Sequence, residues 1–192
     1  MQKDLSRVRR AVDALYEATS VEDGLRNGEI VISTHDVAEF AGRLAANLRD
    51  DGQPVIYVGP THDVLADIDT IQLEQILDNL IENAERYRRP GTDIELQLVS
   101  SDAALTLTVF NQGAPIPDAD LDRIFDLGVS GSDQAGNSGL GLFASRIYGL
   151  AMRLTLHAEN RSNGVALILG FPAQPASSSR GIQLHGRRAS DS

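Results

Sequence analysis

The chain contains no cysteine and no tryptophan in its 192 residues. Without thiols there is no disulfide framework, no thiolate nucleophile and no cysteine-ligated zinc. Lys3 is the one lysine, which argues against lysine-based catalysis. Histidine is scarce: His35, His62, His157 and His185 lie far apart and make no metal-ligand spacing. His35 reads as a residue near a helix cap, His62 as part of a solvated turn and His157 as a strand residue. No run approaches the roughly 20 apolar residues that cross a bilayer, and the N-terminus has no signal-peptide pattern. Positive charge is also short. The net charge is −10 and the pI about 4.7, which argues against nucleic acid or an anionic membrane as a partner. We expect a soluble, cytoplasmic segment with no membrane contact of its own. Whether a parent protein is anchored in the inner membrane is left open.

The chain does have the material for one packed domain, with 42% hydrophobic and 23% charged residues. Residues 2–20 read as a helix in which Leu5, Val8, Val12 and Leu15 alternate spacings of three and four, a short coiled-coil seam. After a polar connector, residues 29–33 read as a strand. Ser33 and Asp36 suit a capping box for the next helix, whose stripe is Val37, Phe40, Ala41, Leu44, Ala45 and Leu48. Val55 to Val58 reads as a strand, and Val64-Leu65 as the start of another.

The central feature is a helix over residues 71–88. Leu73, Ile76, Leu77, Leu80, Ile81 and Ala84 form one apolar stripe. At about 100° per residue, Asn83 sits at the margin of that stripe, and Asn79 and Arg86 follow it round the same side. Asparagine is a poor helix former because its amide competes for backbone hydrogen bonds. Two of them at one margin suggest a polar role there, since an amide oxygen can ligate a hard cation and Arg can hold phosphate.

Arg88-Arg89-Pro90-Gly91 ends the helix. Ile94, Leu96 and Leu98 alternate with polar residues, as do Leu105, Leu107 and Val109, so the two runs form a hairpin. The second strand runs into Asn111-Gln112-Gly113-Ala114-Pro115-Ile116-Pro117, a corner that starts on a side-chain amide. Leu121, Ile124 and Phe125 mark a short helix. Residues 127–138 form a long polar Gly/Ser loop, a length usually tied to function or disorder. Gly139-Leu140-Gly141-Leu142 then opens a helix over residues 143–150; glycines there let backbone amides approach a phosphate. Residues 153–159 and 165–171 form a last hairpin around Asn163-Gly164. Residues 173–192 read as a disordered tail.

In chain order, these pieces resemble the ATP-binding domain of sensor histidine kinases, within the superfamily shared with DNA gyrase and a heat-shock chaperone. Residues 77–84 look like the N box, residues 109–117 like the first glycine box, Ile124-Phe125-Asp126 like the F box, and residues 136–142 like the second glycine box. Four boxes in order are specific where one alone is weak. The resemblance covers about residues 30–172. It implies an α/β (α+β) two-layer sandwich of the Bergerat type, with a mixed, mostly antiparallel sheet under three helices. It divides the chain into residues 1–28, similar to the end of a dimerisation and phosphoacceptor hairpin; residues 29–172, the catalytic domain; and the tail.

The resemblance also assigns roles, with ATP and Mg²⁺ as cofactors. Asn83 would ligate Mg²⁺, and Asn79, at the polar end of the site, would be the catalytic residue beside it. Arg86 would contact phosphate and Tyr87 would flank the purine or ribose. Asn111 would face the adenine amino group, with Gly113, Pro115 and Ile116 along the same nucleotide wall. Gly139, Leu140, Gly141 and Leu142 would meet the phosphates. The partners implied are a phosphoacceptor histidine domain, a response regulator and, through the N-terminal helix, a second copy of the chain. The chain departs from the pattern at Asn111, where Asp is usual, at Pro115 for glycine, at Leu127-Gly128 for the second Phe of the F box, and in a loop without Lys or Arg. Neither His35 nor His62 is followed by the Arg and Pro of a phosphoacceptor motif, so the chain alone should not autophosphorylate on histidine. Two alternatives stay open: a stand-alone serine kinase of the anti-sigma-factor type, and a degenerate, non-catalytic interaction module.

Overall fold

The computed structural model describes residues 30–101, 104–127, 129 and 140–172. The expected N-terminal helix, most of the long loop, Gly139 and the tail lie outside the described residues. The elements run β1 (Ser33–Asp36), α1 (Val37–Asp50), β2 (Val55–Val58), β3 (Leu65–Ile68), α2 (Thr70–Tyr87), β4 (Ile94–Ser100), β5 (Leu105–Gln112), α3 (Gly141–Ala151), β6 (Thr155–Arg161) and β7 (Gly164–Phe171). Two 3₁₀ turns, Asp118–Asp120 and Arg123–Phe125, stand between β5 and α3.

The main sheet has the order β2-β4-β5-β7-β6. Its β2–β4 pair is parallel, and the three other pairs are antiparallel. This is the expected mixed, mostly antiparallel sheet. The period of two decides which face is apolar. Ile94, Leu96 and Leu98 on β4, Leu105, Leu107 and Val109 on β5, and Val165, Leu167, Leu169 and Phe171 on β7 are buried together with the stripes of α1 and α2. The opposite face carries a separate small cluster of Phe110, Ala166 and Ile168. There the Arg161 guanidinium lies 5.7 Å from the Phe110 ring centroid and donates to Gln97 Oε1 at 3.1 Å.

The two long helices begin on aspartates, the residue type that best takes up free N–H groups of a first turn. Asp36 caps α1 and accepts from Ala38 and Glu39. It also accepts from Asp63 and Val64, so one carboxylate ties α1 to the turn before β3. Asp69 caps α2 by accepting from Ile71 and Gln72, and its second oxygen accepts from Val31 at 2.8 Å. Arg88 is the C-cap residue of α2 and turns to an extended conformation ahead of Pro90. Gly91 follows at φ +80°, a value glycine adopts without strain.

Four local expectations are corrected. The strand expected over 29–33 forms instead at Ser33–Asp36, where it pairs antiparallel with β3 from Ser33↔Ile68 to Asp36↔Leu65 in a separate two-stranded sheet. No Ser33/Asp36 capping box forms: Asp36 caps alone, and Ser33 Oγ bonds His35 Nε2 at 2.8 Å. The short helix expected near Leu121 is replaced by the two 3₁₀ turns. The helix expected over 143–150 already begins at Gly141.

Burial pushes the Asp36 carboxyl up, but the four backbone N–H donors outweigh it and hold the group below its ordinary value. A depressed folded pKa stabilises the fold above the unfolded pKa of about 3.9, and that contribution is lost as the pH falls through the folded value. Replacing Asp36 with Ala should therefore cost about 1 kcal/mol at pH 7. In urea titrations the gap between wild type and Asp36→Ala should narrow below about pH 4.

Candidate functional site

The buried stripe of α2 fixes the rotation of the helix about its axis. Leu73, Ile76, Leu77, Leu80, Ile81 and Ala84 all face the core. Asn79 and Asn83 are thereby held half-buried at its margin, one turn apart. The start of α3 comes to the first of these. A Cβ placed on Gly141 would stand 3.2 Å from Asn79 Oδ1. Glycine at this position is thus explained by close approach. Leu140 is the N-cap residue of α3, without a side-chain cap bond, and Leu142 packs partly against the core.

Arg86 is exposed and pairs with Glu82 at 2.9 Å. Such a surface pair is worth a few tenths of a kcal/mol and yields easily to a stronger anion. Tyr87, the last helical residue, is 40% exposed. On the outward side of α2, burial and the neighbouring Glu74 charge push the Asp78 carboxyl up.

The corner after β5 reaches the other end of α2. Asn111 does not start a turn, contrary to the sequence pattern; it stays inside β5. It continues the inward row of Leu105, Leu107 and Val109, and it is only 3% exposed. Arg89 N–H donates to Gln112 O at 2.7 Å, and Gly113 forms an isolated bridge with Arg88. A Cβ on Gly113 would lie 2.5 Å from the Tyr87 carbonyl oxygen. Pro115 is exposed, while Ile116 packs on the core. Asn79, Asn83, Arg86, Tyr87, Asn111, Gly113, Pro115, Ile116, Leu140, Gly141 and Leu142 are therefore all carried on α2 or on the two segments that touch it.

The sequence profile described as histidine kinase-, DNA gyrase B- and HSP90-like ATPase matches residues 68–175. The chain belongs to this ATPase family. Sensor histidine kinase Hik2 of Thermosynechococcus vestitus is 37% identical over 110 residues, 53% of this chain and 28% of that protein. Among solved structures, the nucleotide-free catalytic domain of histidine kinase ThkA matches with a TM-score of 0.64 at 23% identity. That match covers 75% of this chain and 97% of the ThkA domain. Full-length ShkA in complex with AMPPNP also gives a TM-score of 0.64, at 18% identity, over 88% of this chain and 36% of ShkA. At these identities the structures establish the fold. The chain spans 28% to 34% of the length of the first curated relatives it matches.

For an ATPase of this family, the donor set suits a magnesium nucleotide. The described residues hold no group of three or more His, Cys, Asp or Glu that could cage a metal unaided. Mg²⁺ typically takes one or two protein oxygens and completes its shell with phosphates and water. One amide oxygen on α2 fits that pattern. Among the described residues no helix is long and apolar enough to cross a membrane.

Two features of the site escape sequence reasoning. Asn160 on β6 donates from Nδ2 to Ile116 O at 2.7 Å, and its Oδ1 accepts from Ile116 N–H at 2.9 Å. The Asn163-Gly164 pair predicts a turn in which glycine supplies a positive φ. The φ of Gly164 is not positive; instead, an added Cβ would collide with the Asn111 carbonyl oxygen. The signal for both lies in the third dimension, since Asn160 and Ile116 are 44 residues apart.

Because Gly113 abuts the Tyr87 carbonyl, Gly113→Ala should overpack the junction and cost about 1–3 kcal/mol, measurable as a lower thermal midpoint. Ala114→Gly, at an exposed neighbouring position, should change it far less.

Proposed function

We propose that this chain is the ATP-binding catalytic portion of a two-component sensor histidine kinase. The observation that carries the reading is the meeting at α2 of two glycine-bearing segments, Gly141 beside Asn79 and Gly113 beside Tyr87. The family membership supports ATP as the nucleotide. Curated relatives named as sensor histidine kinases support a histidine kinase over a serine kinase or an interaction module. In this reading the γ-phosphoryl passes to a histidine of a separate phosphoacceptor domain, and a response regulator receives it from there. Residues 1–28 belong to the end of that helical domain and offer a route to a homodimer, residues 29–172 are the catalytic unit, and residues 173–192 are a tail. The setting we propose is cytoplasmic, whether or not a parent protein is membrane-anchored.

The residues divide the work by chemistry. Asn83 would hold Mg²⁺, which when bound neutralises charge on the phosphates. Asn79, one turn earlier and beside the start of α3, would be the catalytic polar group. Arg86 leaves its weak pair with Glu82 to meet phosphate, where its planar fork matches two oxygens. Gly141, with Leu140 and Leu142, would bring the N-terminal amides of α3 toward the phosphates, assisted by the helix dipole; Gly139, outside the described residues, is the other glycine we assign to this task. Asn111 faces the adenine amino group as a neutral acceptor, and Tyr87, Gly113, Pro115 and Ile116 line the base and ribose side.

Calorimetry with a non-hydrolysable ATP analogue tests this. The wild type should bind it in a Mg²⁺-dependent way, and Asn83→Ala should remove that dependence. Absence of binding by folded wild-type protein would sink the reading. Incubated alone with ATP, the chain should form no phosphohistidine, since neither His35 nor His62 stands in a phosphoacceptor motif.

A further inference from the structure

We propose that Asn160 is a positioning residue, which holds the corner after β5 in nucleotide-binding shape by engaging both backbone polar groups of Ile116. The inference rests on the nucleotide reading above and concerns a residue outside all four boxes. Its basis is an asymmetry in the corner's own chemistry. Ile116 lies between Pro115 and Pro117. Proline has no backbone N–H, so Ile116 carries the one amide hydrogen of that tripeptide. Asn160 takes it, at 2.9 Å, and returns a donor to the Ile116 carbonyl at 2.7 Å. Its Nδ2 also lies 3.5 Å from Asp118 Oδ1, at the start of the first 3₁₀ turn.

A carboxamide is well matched to this role. It presents a donor and an acceptor side by side in one plane, as an antiparallel strand would. Asp at 160 could accept from the Ile116 N–H, but while ionised it could not donate, and it would face the Ile116 carbonyl and the Asp118 carboxylate. Ala or Ser offers no such pair at this reach. The corner is also anchored upstream, where Gly113 N–H donates to Asn163 O at 3.2 Å and Arg89 N–H to Gln112 O. Asn160 and Asn163 both belong to the β6–β7 hairpin region. This hairpin therefore grips the corner at two points. Freed from Asn160, residues 114–117 would keep their prolines and lose their register against α2, so the wall facing the nucleotide would no longer be preorganised.

The test compares wild type, Asn160→Ala and the milder Asn160→Ser with Asp36→Ala, a destabilised control whose lesion lies at the cap of α1. Three quantities are read: the thermal midpoint, hydrogen exchange at the Ile116 amide, and affinity for the Mg²⁺–ATP analogue. Exchange at Ile116 should speed up in both Asn160 variants. Affinity should fall about tenfold in Asn160→Ala, while Asp36→Ala, with a comparable loss of thermal midpoint, keeps wild-type affinity. If Asn160→Ala does not fold, Asn160→Ser is judged by the same criteria. Unchanged affinity in a folded Asn160 variant, with the wild type binding normally, would overturn the positioning role and leave the nucleotide reading intact. So would an affinity loss in Asp36→Ala as large as that in Asn160→Ala. A wild type that binds no nucleotide would overturn both.

Discussion

Everything at the candidate site depends on how α2 is pinned to the sheet. Six apolar side chains of this helix are buried in the core, where the helix packs on β4, β5 and α3. At roughly 1.5–3 kcal/mol for each large aliphatic residue, that burial contributes on the order of 10 kcal/mol. The helix-propensity cost of Asn79 and Asn83 is roughly 0.6 kcal/mol each. The stripe wins by a wide margin, so the helix tolerates poor formers where they are useful. It also leaves the helix one rotational setting. Turned by one residue, about 100°, it would bury a polar side chain and expose a leucine.

Three segments distant in sequence then complete the neighbourhood, and each uses glycine for the same reason. Backbone must come within contact distance of α2 or of β5. Gly141 meets the Asn79 side chain, Gly113 meets the Tyr87 carbonyl, and Gly164 meets the Asn111 carbonyl. None of the three has positive φ; among the glycines of the described residues, that conformation belongs to Gly52 and Gly91 in turns outside the site. The site glycines thus serve proximity: a side chain at Gly113 or Gly164 would collide with backbone, and one at Gly141 would crowd the Asn79 amide.

What the sequence disclosed follows the reach of each signal. The stripes of α1 and α2 and the alternation in β4, β5 and β7 were legible, because periodicity is local and the sheet face they bury is continuous. The first strand was misplaced. Ile30, Val31 and Ile32 have strong strand character, yet Val31 and Ile32 stay 64% and 46% exposed. Pairing was decided instead by the partner. Ile68 is fully buried and pairs with Ser33, and Asp36, at the other end, must cap α1. Two tertiary requirements at the ends of a four-residue strand outweighed the propensity of the residues just before it. The grip of Asn160 on Ile116 had no local signature, since one partner is a strand residue and the other lies between two prolines.

The departures of the corner from the family pattern form a consistent set once their surroundings are considered together. Asn111 is buried beside Val109 in the inward row of β5. A carboxylate there would carry a desolvation cost of several kcal/mol unless fully compensated. Its neutral amide carries far less, and it keeps an acceptor oxygen. Pro115 takes away a donor and a degree of backbone freedom, so a corner that glycine would leave adaptable becomes stiff. Stiffness is useful only in the right place, and two prolines cannot choose that place by themselves. The choice falls to the contacts at either end: the Arg88–Gly113 bridge on the α2 side, and the Asn160 amide on the hairpin side. A rigid wall set between two fixed points needs no ligand to shape it, and the entropy of ordering it is lost on folding rather than on binding.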